Sequence, residues 1–319
     1  MNALERLKTM TTVVADTGDF NSIKAYAPTD ATTNPSLLYK ATQMPEYQSL
    51  VDAAIDYGRK TGTDAASRLT KTIDKLFVTF GSEILNIVPR YVSTEADARL
   101  SFDTDGTIAK IHELIRLYDE VGVSKDRILF KIASTWEGIK AAEVLEQEGI
   151  HCNMTLLFSF GQAVGCAQVG AYLISPFVGR IFDWYKENEG VSGYPPDDDP
   201  GVQSVRRIYS YYKNYGYKTI VMGASFRNVE QVKALAGCDA LTIGPKFLQE
   251  LQEDTEDLPQ ILSEAYAREH CQDERMELDE KAFRWMLNED AMATEKLAEG
   301  IRKFSAHIVE LENTIKPRL

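Results

Sequence analysis

Eight short apolar runs, alternating after the second with stretches of helical spacing, constrain this chain more than any other feature. The runs fall at residues 11–16, 30–35, 87–95, 127–134, 152–158, 172–178, 219–225 and 240–245, and several are rich in residues that favour strands. Between them lie residues 45–57, 65–85, 108–121, 135–149, 162–171, 202–215 and 229–235. These carry apolar side chains three and four apart, as in Ile111, Leu114, Ile115 and Tyr118. Repeated β-α units with short connections predict a parallel sheet with helices outside it. Eight of them predict closure into a single (β/α)₈ barrel. The glycine-rich turn that usually follows the first strand of an open doubly wound sheet is absent.

Local signals place some boundaries. Pro35 stops the second run, and Pro89 belongs at the start of the third. Ser134 or Thr135 suits a helix cap, and Gly149 suits a helix stop. Residues 190–199 (Gly-Val-Ser-Gly-Tyr-Pro-Pro-Asp-Asp-Asp) form the clearest long loop, which reads as an insertion able to overhang the barrel mouth. Residues 254–280 are acidic and irregular, and 281–311 return to helix. The whole of 1–319 thus reads as one domain, with 250–319 a helical C-terminal extension packed on the barrel.

A net charge of −13 argues against a nucleic-acid or anionic-membrane surface. It leaves room for a small anion, because two well-placed arginines recognise a phosphate locally. Cys152, Cys166, Cys238 and Cys271 form no CxxC pair, and His112, His151, His270 and His307 show no ligand spacing. The cysteines therefore read as reduced, buried, small hydrophobes with no metal role. The N-terminus has no secretory signal, and no run approaches the roughly 20 apolar residues that span a bilayer. The expectation is a cytoplasmic protein.

Lys131 stands inside Arg127-Ile-Leu-Phe-Lys-Ile-Ala-Ser134, an otherwise buried strand. Burial disfavours an ammonium, and a neutral amine attacks carbonyl carbon, so this position suggests Schiff-base chemistry. The same lysine could instead reach solvent or pair with an acid. Catalytic groups of such barrels gather at the C-terminal strand ends. Read in order, those ends supply Asp16, Thr33 with Asn34, Glu95, Lys131, Asn153 with Thr155, Ser175 and Ser225. Each has a plain alternative. Asp16 could cap the turn before Asp19, either Glu95 or Asp97 could pair with Arg99, and Asn34 before Pro35 is a normal turn residue. Asn153, Thr155 and Ser175 could satisfy backbone groups. Arg180 and Arg227 each follow a late strand, where phosphate binding and a surface ion pair are both open readings.

Seven segments carry a resemblance. They are Thr12-Val-Val-Ala-Asp-Thr-Gly-Asp19, Asp30-Ala-Thr-Thr-Asn-Pro-Ser-Leu37, Ser93-Thr-Glu-Ala-Asp-Ala-Arg99, Ile128-Leu-Phe-Lys-Ile-Ala-Ser-Thr-Trp136, Leu156-Leu-Phe-Ser159, Ile174-Ser-Pro-Phe-Val-Gly-Arg180 and Met222-Gly-Ala-Ser-Phe-Arg-Asn228. Together they resemble the transaldolase family, and Lys296-Leu-Ala-Glu-Gly-Ile-Arg-Lys-Phe304 extends the likeness towards the C-terminus. The resemblance implies a TIM-type barrel, no metal, no organic cofactor and a homodimer. It also implies transfer of a dihydroxyacetone unit in the pentose phosphate pathway. Sedoheptulose 7-phosphate would donate to glyceraldehyde 3-phosphate, giving erythrose 4-phosphate and fructose 6-phosphate.

By motif position the resemblance makes Lys131 the Schiff-base lysine and Asp16 the acid/base for the donor's C4 hydroxyl. Glu95 activates a water, with Thr155 helping to hold it. Asn34, Asn153 and Ser175, with Thr33 beside them, would bind dihydroxyacetone hydroxyls. Arg180, Ser225 and Arg227 would bind phosphate. The related fructose 6-phosphate aldolases resemble one another in carrying tyrosine where this chain has Phe177 and glutamine where it has Glu95, which favours transfer. A non-catalytic sugar-phosphate binding barrel is a further alternative, against which the intact Lys131, Asp16 and Glu95 set argues.

Overall fold

The structure is a computed structural model describing residues 1–319. Eight parallel strands close in sequential order, each bonded to its neighbours and the last to the first. They are β1 (Thr12–Asp16), β2 (Asp30–Thr32), β3 (Val92–Glu95), β4 (Ile128–Ala133), β5 (Cys152–Leu157), β6 (Leu173–Pro176), β7 (Ile220–Gly223) and β8 (Ala240–Ile243). All eight expected runs hold a strand. The runs overestimate its length wherever the following helix starts early. Pro35 and Pro245, assigned to runs, each open a helix instead, at a first-turn position where a missing N–H costs nothing. Pro89 lies outside β3 altogether.

The helix Ala65–Leu85 has the predicted bounds, and Thr135 caps Trp136–Gln147 through its hydroxyl. The helix expected at 108–121 begins earlier, at Thr104, because the Asp103 carboxylate caps it. Asp199, at the end of the 190–199 loop, likewise caps Pro200–Asn214. The segment 254–280 is irregular except for Glu264–His270, and the terminal helical region divides at Asp290 into Glu280–Glu289 and Ala291–Ile315.

Inside the barrel, Val14, Leu129, Leu173, Met222 and Ala240 form an apolar plug, closed at the N-terminal end by Tyr91, Tyr172 and Ile220. The interior is therefore packed at this level, and the cavity at the C-terminal face lies above it. A far larger apolar layer joins the strands to the surrounding helices.

The last long helix, Ala291–Ile315, crosses the C-terminal face. Its Met292, Leu297, Ile301 and Phe304 pack with Leu156, Phe158 and Phe177 at the ends of β5 and β6. Its far end, through Ile308, Leu311 and Ile315, packs against the helices Pro35–Thr42 and Ala65–Leu85. Gly300 permits the close approach, since a Cβ there would lie 2.6 Å from Leu156 Cδ2. Leu156 has a left-handed φ of 54°, and the β5–β6 register shifts between Met154 and Leu157. This irregularity sits at the barrel rim, where such features re-aim side chains. No helix is long and apolar enough to cross a membrane.

Candidate active site

A cavity of about 210 Å³ opens at the C-terminal face of the barrel. Each even-numbered strand gives it one polar side chain: Thr32 from β2, Lys131 from β4, Ser175 from β6 and Thr242 from β8. Asp16 from β1 joins them, with Asn34, Phe177, Arg180 and Ser225 from the loops and helix starts beyond the strands. The last helix closes the wall with Phe304 and His307.

Parallel register sets the polar groups side by side. Glu95 is opposite Lys131, and Lys131 is opposite Asn153. Lys131 Nζ lies 3.3 Å from Glu95 Oε2 and donates at 3.3 Å to the Thr33 carbonyl. Both side chains of the pair are almost wholly buried. Burial raises the Glu95 pKa from the usual carboxylate value to about 7, and Lys131 only partly offsets it. Asp97, the rival acid on this strand end, is occupied by Arg99 at 2.6 Å, and Arg99 also holds Glu312 of the last helix. Glu95 is thereby left to the amine.

Asp16 does not cap the following turn. In that turn Thr17 Oγ1 accepts from Asp19 N–H, and Asp19 in turn caps the helix Phe20–Tyr26 by accepting from the backbone of Asn21 and Ser22. Asp16 Oδ1 instead accepts from the Thr32 hydroxyl at 3.1 Å. Its pKa is raised by burial, against the pull of Lys131, Thr32 and Arg180.

Thr155 is buried, with its hydroxyl free of any protein partner. It lines, with Glu95, Ile132 and Phe304, a small cavity of about 10 Å³, roughly the room one water requires. Asn153 is fully buried below the main cavity. It donates to Ser93 Oγ at 3.0 Å and accepts from Ser175 Oγ at 2.6 Å, so it fixes Ser175. Thr33 turns its hydroxyl to the Ser93 carbonyl and meets Lys131 only through its own carbonyl. Asn34 faces the cavity while capping the helix Pro35–Thr42.

The arginines differ. Arg180 lies between the rings of Phe177 and Phe304, 5.0 and 5.5 Å from their centroids, with Nη1 buried and unpartnered. Burial, and then Arg227, push its pKa down. Arg227 stands outside the cavity wall, paired with Asp183 at 2.7 Å and donating to the Ser225 carbonyl at 3.1 Å. Ser225 has a left-handed φ of 62°, and its carbonyl accepts from Gly179 N–H. A Cβ on Gly179 would come within 2.2 Å of that oxygen, so glycine is needed just before Arg180. The 190–199 loop borders a neighbouring cleft through Tyr194 and Asp198 and contributes nothing to this cavity.

Sequence reasoning did not single out Thr32, Thr242, Ser93, Phe304 or His307 as site residues. Thr32 stood within a quoted motif, and Phe304 ended another. Threonine in a strand carries no signal of its own, and the two helix residues reach the site only through the tertiary fold. No three His, Cys, Asp or Glu side chains cluster so as to hold a metal ion.

The sequence model of the Transaldolase/Fructose-6-phosphate aldolase family matches residues 13–315. A protein named transaldolase from Sus scrofa is 60% identical over 319 residues, covering 100% of this chain and 94% of the relative. The Homo sapiens transaldolase has the same identity and coverage. The transaldolase of Alteromonas mediterranea is 57% identical over 318 residues, covering 100% and 99%. A match across nearly the whole length, on a closed barrel with a lysine in its interior, leads to one conclusion: the chain belongs to the transaldolase/fructose-6-phosphate aldolase family.

Proposed function

We propose that this enzyme is a transferase carrying out the transaldolase reaction, passing a dihydroxyacetone unit between sugar phosphates through a Schiff base on Lys131. The observation that carries the reading is the Lys131 amine 3.3 Å from Glu95 in a cavity that also holds Asp16. The relatives named transaldolase, from mammals and bacteria, support transfer over simple aldol cleavage. Phe177 in the cavity wall, rather than tyrosine, supports it too.

Lys131 Nζ attacks C2 of the donor ketose, and the carbinolamine loses water to give an iminium. Glu95, with a pKa of about 7, can give and take the protons of this step. The small cavity that Glu95 shares with Thr155 suits the water released and later consumed. Asp16 takes the proton of the C4 hydroxyl, the C3–C4 bond breaks, and an aldose leaves. The electron pair remains as an enamine on Lys131. It adds to the carbonyl carbon of the acceptor aldose, Asp16 returns its proton to the new alkoxide, and water releases the product ketose. One water leaves and one returns, so transfer is balanced.

Ser175, held by Asn153, and Asn34 would bind the dihydroxyacetone hydroxyls. Arg180 and Ser225 would bind phosphate, with Arg227 behind Ser225 adding positive charge. Desolvation around the enamine keeps it until an acceptor arrives. By the same resemblance the protein is read as a cytoplasmic homodimer, which sedimentation of the purified chain tests.

The functional test compares fructose 6-phosphate alone with fructose 6-phosphate plus erythrose 4-phosphate. Release of glyceraldehyde 3-phosphate that depends on the acceptor is expected. Release that is equally fast without acceptor would make the enzyme an aldolase instead.

A further inference from the structure

Thr32 and Thr242 are buried, face the same cavity, and come from strands on either side of β1. Their hydroxyl oxygens lie 2.8 Å apart. Thr32 also donates to Asp16 Oδ1 at 3.1 Å, and register places its Cα opposite that of Asp16. A hydroxyl has a single proton. With that of Thr32 committed to the carboxylate, the 2.8 Å contact requires Thr242 to be the donor. The hydrogen bonds therefore run one way, from Thr242 to Thr32 to Asp16. No protein group donates to Asp16 Oδ2.

We propose that Thr32 and Thr242 are positioning residues for the known reaction: together they hold one carboxylate oxygen of Asp16 and leave Oδ2 as the oxygen that takes the C4 hydroxyl proton. This rests on the reading of Asp16 as the acid/base. The chain does two things at once. It fixes the rotation of the carboxyl group, which otherwise turns about its Cβ–Cγ bond, and it supports the carboxylate against burial. It also persists after proton transfer, because a proton on Oδ2 leaves Oδ1 free to go on accepting. The carboxyl therefore stays aimed at the alkoxide that needs the proton back when the acceptor adds. Placing a hydroxyl pair in an interior that usually holds branched apolar side chains has no packing advantage, since valine would fill the same space.

The test measures kcat and KM for transfer from fructose 6-phosphate to erythrose 4-phosphate, the thermal midpoint, and the fraction of enzyme trapped by borohydride. The variants are Thr32→Val, Thr32→Ser and Thr242→Val. Loss of a hydrogen bond to a charged group predicts a kcat about 10- to 100-fold lower for Thr32→Val, with KM within about twofold. Trapping should be undiminished or greater, because the iminium forms but breaks down slowly. Thr32→Ser should recover most of kcat, which a role confined to packing would not produce. Thr242→Val should fall in the same direction by a smaller factor.

A wild-type kcat in Thr32→Val, a loss confined to KM, or failure of serine to rescue would overturn the proposal. Should Thr32→Val not fold, an unchanged kcat in Thr242→Val overturns it instead. Absence of trapping in the wild-type enzyme is a separate result, contradicting the Schiff-base reading itself.

Discussion

Glu95 Oε2 lies 3.3 Å from Lys131 Nζ, across adjacent strands whose register sets the two residues opposite one another. Neither group is solvated, and Lys131 is the main charge acting on Glu95. The pair is more than a structural ion pair, because burial leaves the carboxylate titrating at about 7 instead of about 4.5. An acid with that value exchanges protons readily at neutral pH.

The first consequence is kinetic. Activation of water needs Glu95 as the carboxylate, so kcat/KM for transfer, which reports groups of the free enzyme, should rise through a limb centred near pH 7. Glu95→Gln should lose that limb and slow turnover by about 10²- to 10⁴-fold. A wild-type profile flat between pH 5.5 and pH 8.5, values spanning the limb by about 1.5 units each way, would contradict this role.

The second concerns stability. The folded-state pKa of Glu95 is raised above its unfolded value, so between about 4.5 and 7 the folded state holds the extra proton. Stability from this group is therefore present at acid pH and lost as pH rises through 7. Relative to Glu95→Gln, the wild type should lose up to about 3 kcal/mol across that window. Urea unfolding of both proteins at each end measures it, and a difference independent of pH would refute the assignment.

Asp16→Asn separates the two carboxylates. It should reduce transfer by about 10²- to 10⁴-fold while leaving Schiff-base formation intact. Borohydride trapping of the variant with fructose 6-phosphate checks this; loss of the adduct would assign Asp16 to the earlier, dehydration step.

Gly300 connects the last helix to the anion end of the cavity. A methyl there would meet Leu156 Cδ2 at 2.6 Å and Arg180 Nη1 at 3.3 Å. Gly300→Ala should cost about 1–3 kcal/mol by overpacking. It should also raise KM for glyceraldehyde 3-phosphate more than for glyceraldehyde. Equal changes for both acceptors would show that Arg180 does not read the phosphate.

Much of this was legible beforehand, for identifiable reasons. A charged residue within Ile128–Ala133 stands out because every neighbour is apolar, and eight alternating units leave few topologies. Strand ends were harder. Hydropathy does not distinguish the last strand residue from the first apolar turn of a helix, as at Pro35, and capping by Asp103 is visible only once the helix is placed. The strand ends brought Thr155 and Asn153 forward and the resemblance put Thr155 beside the water of Glu95, but neither indicated that Asn153 sits beneath Ser175 as its support. Arg227 looked equivalent to Arg180, yet Asp183 holds it outside the wall. His307 and Phe304 were illegible as site residues because they are more than 170 positions from Lys131 and lie on a helix whose apolar face is ordinary. Thr32 and Thr242 were hidden by the strand preference of threonine itself.

The most direct test of the account is reduction with borohydride in the presence of fructose 6-phosphate, followed by mass spectrometry of the digested protein. One modified side chain, Lys131, is predicted, with the adduct and turnover both absent from Lys131→Ala. An unmodified Lys131 in protein that still transfers, or an adduct on another lysine that persists in Lys131→Ala, would contradict it.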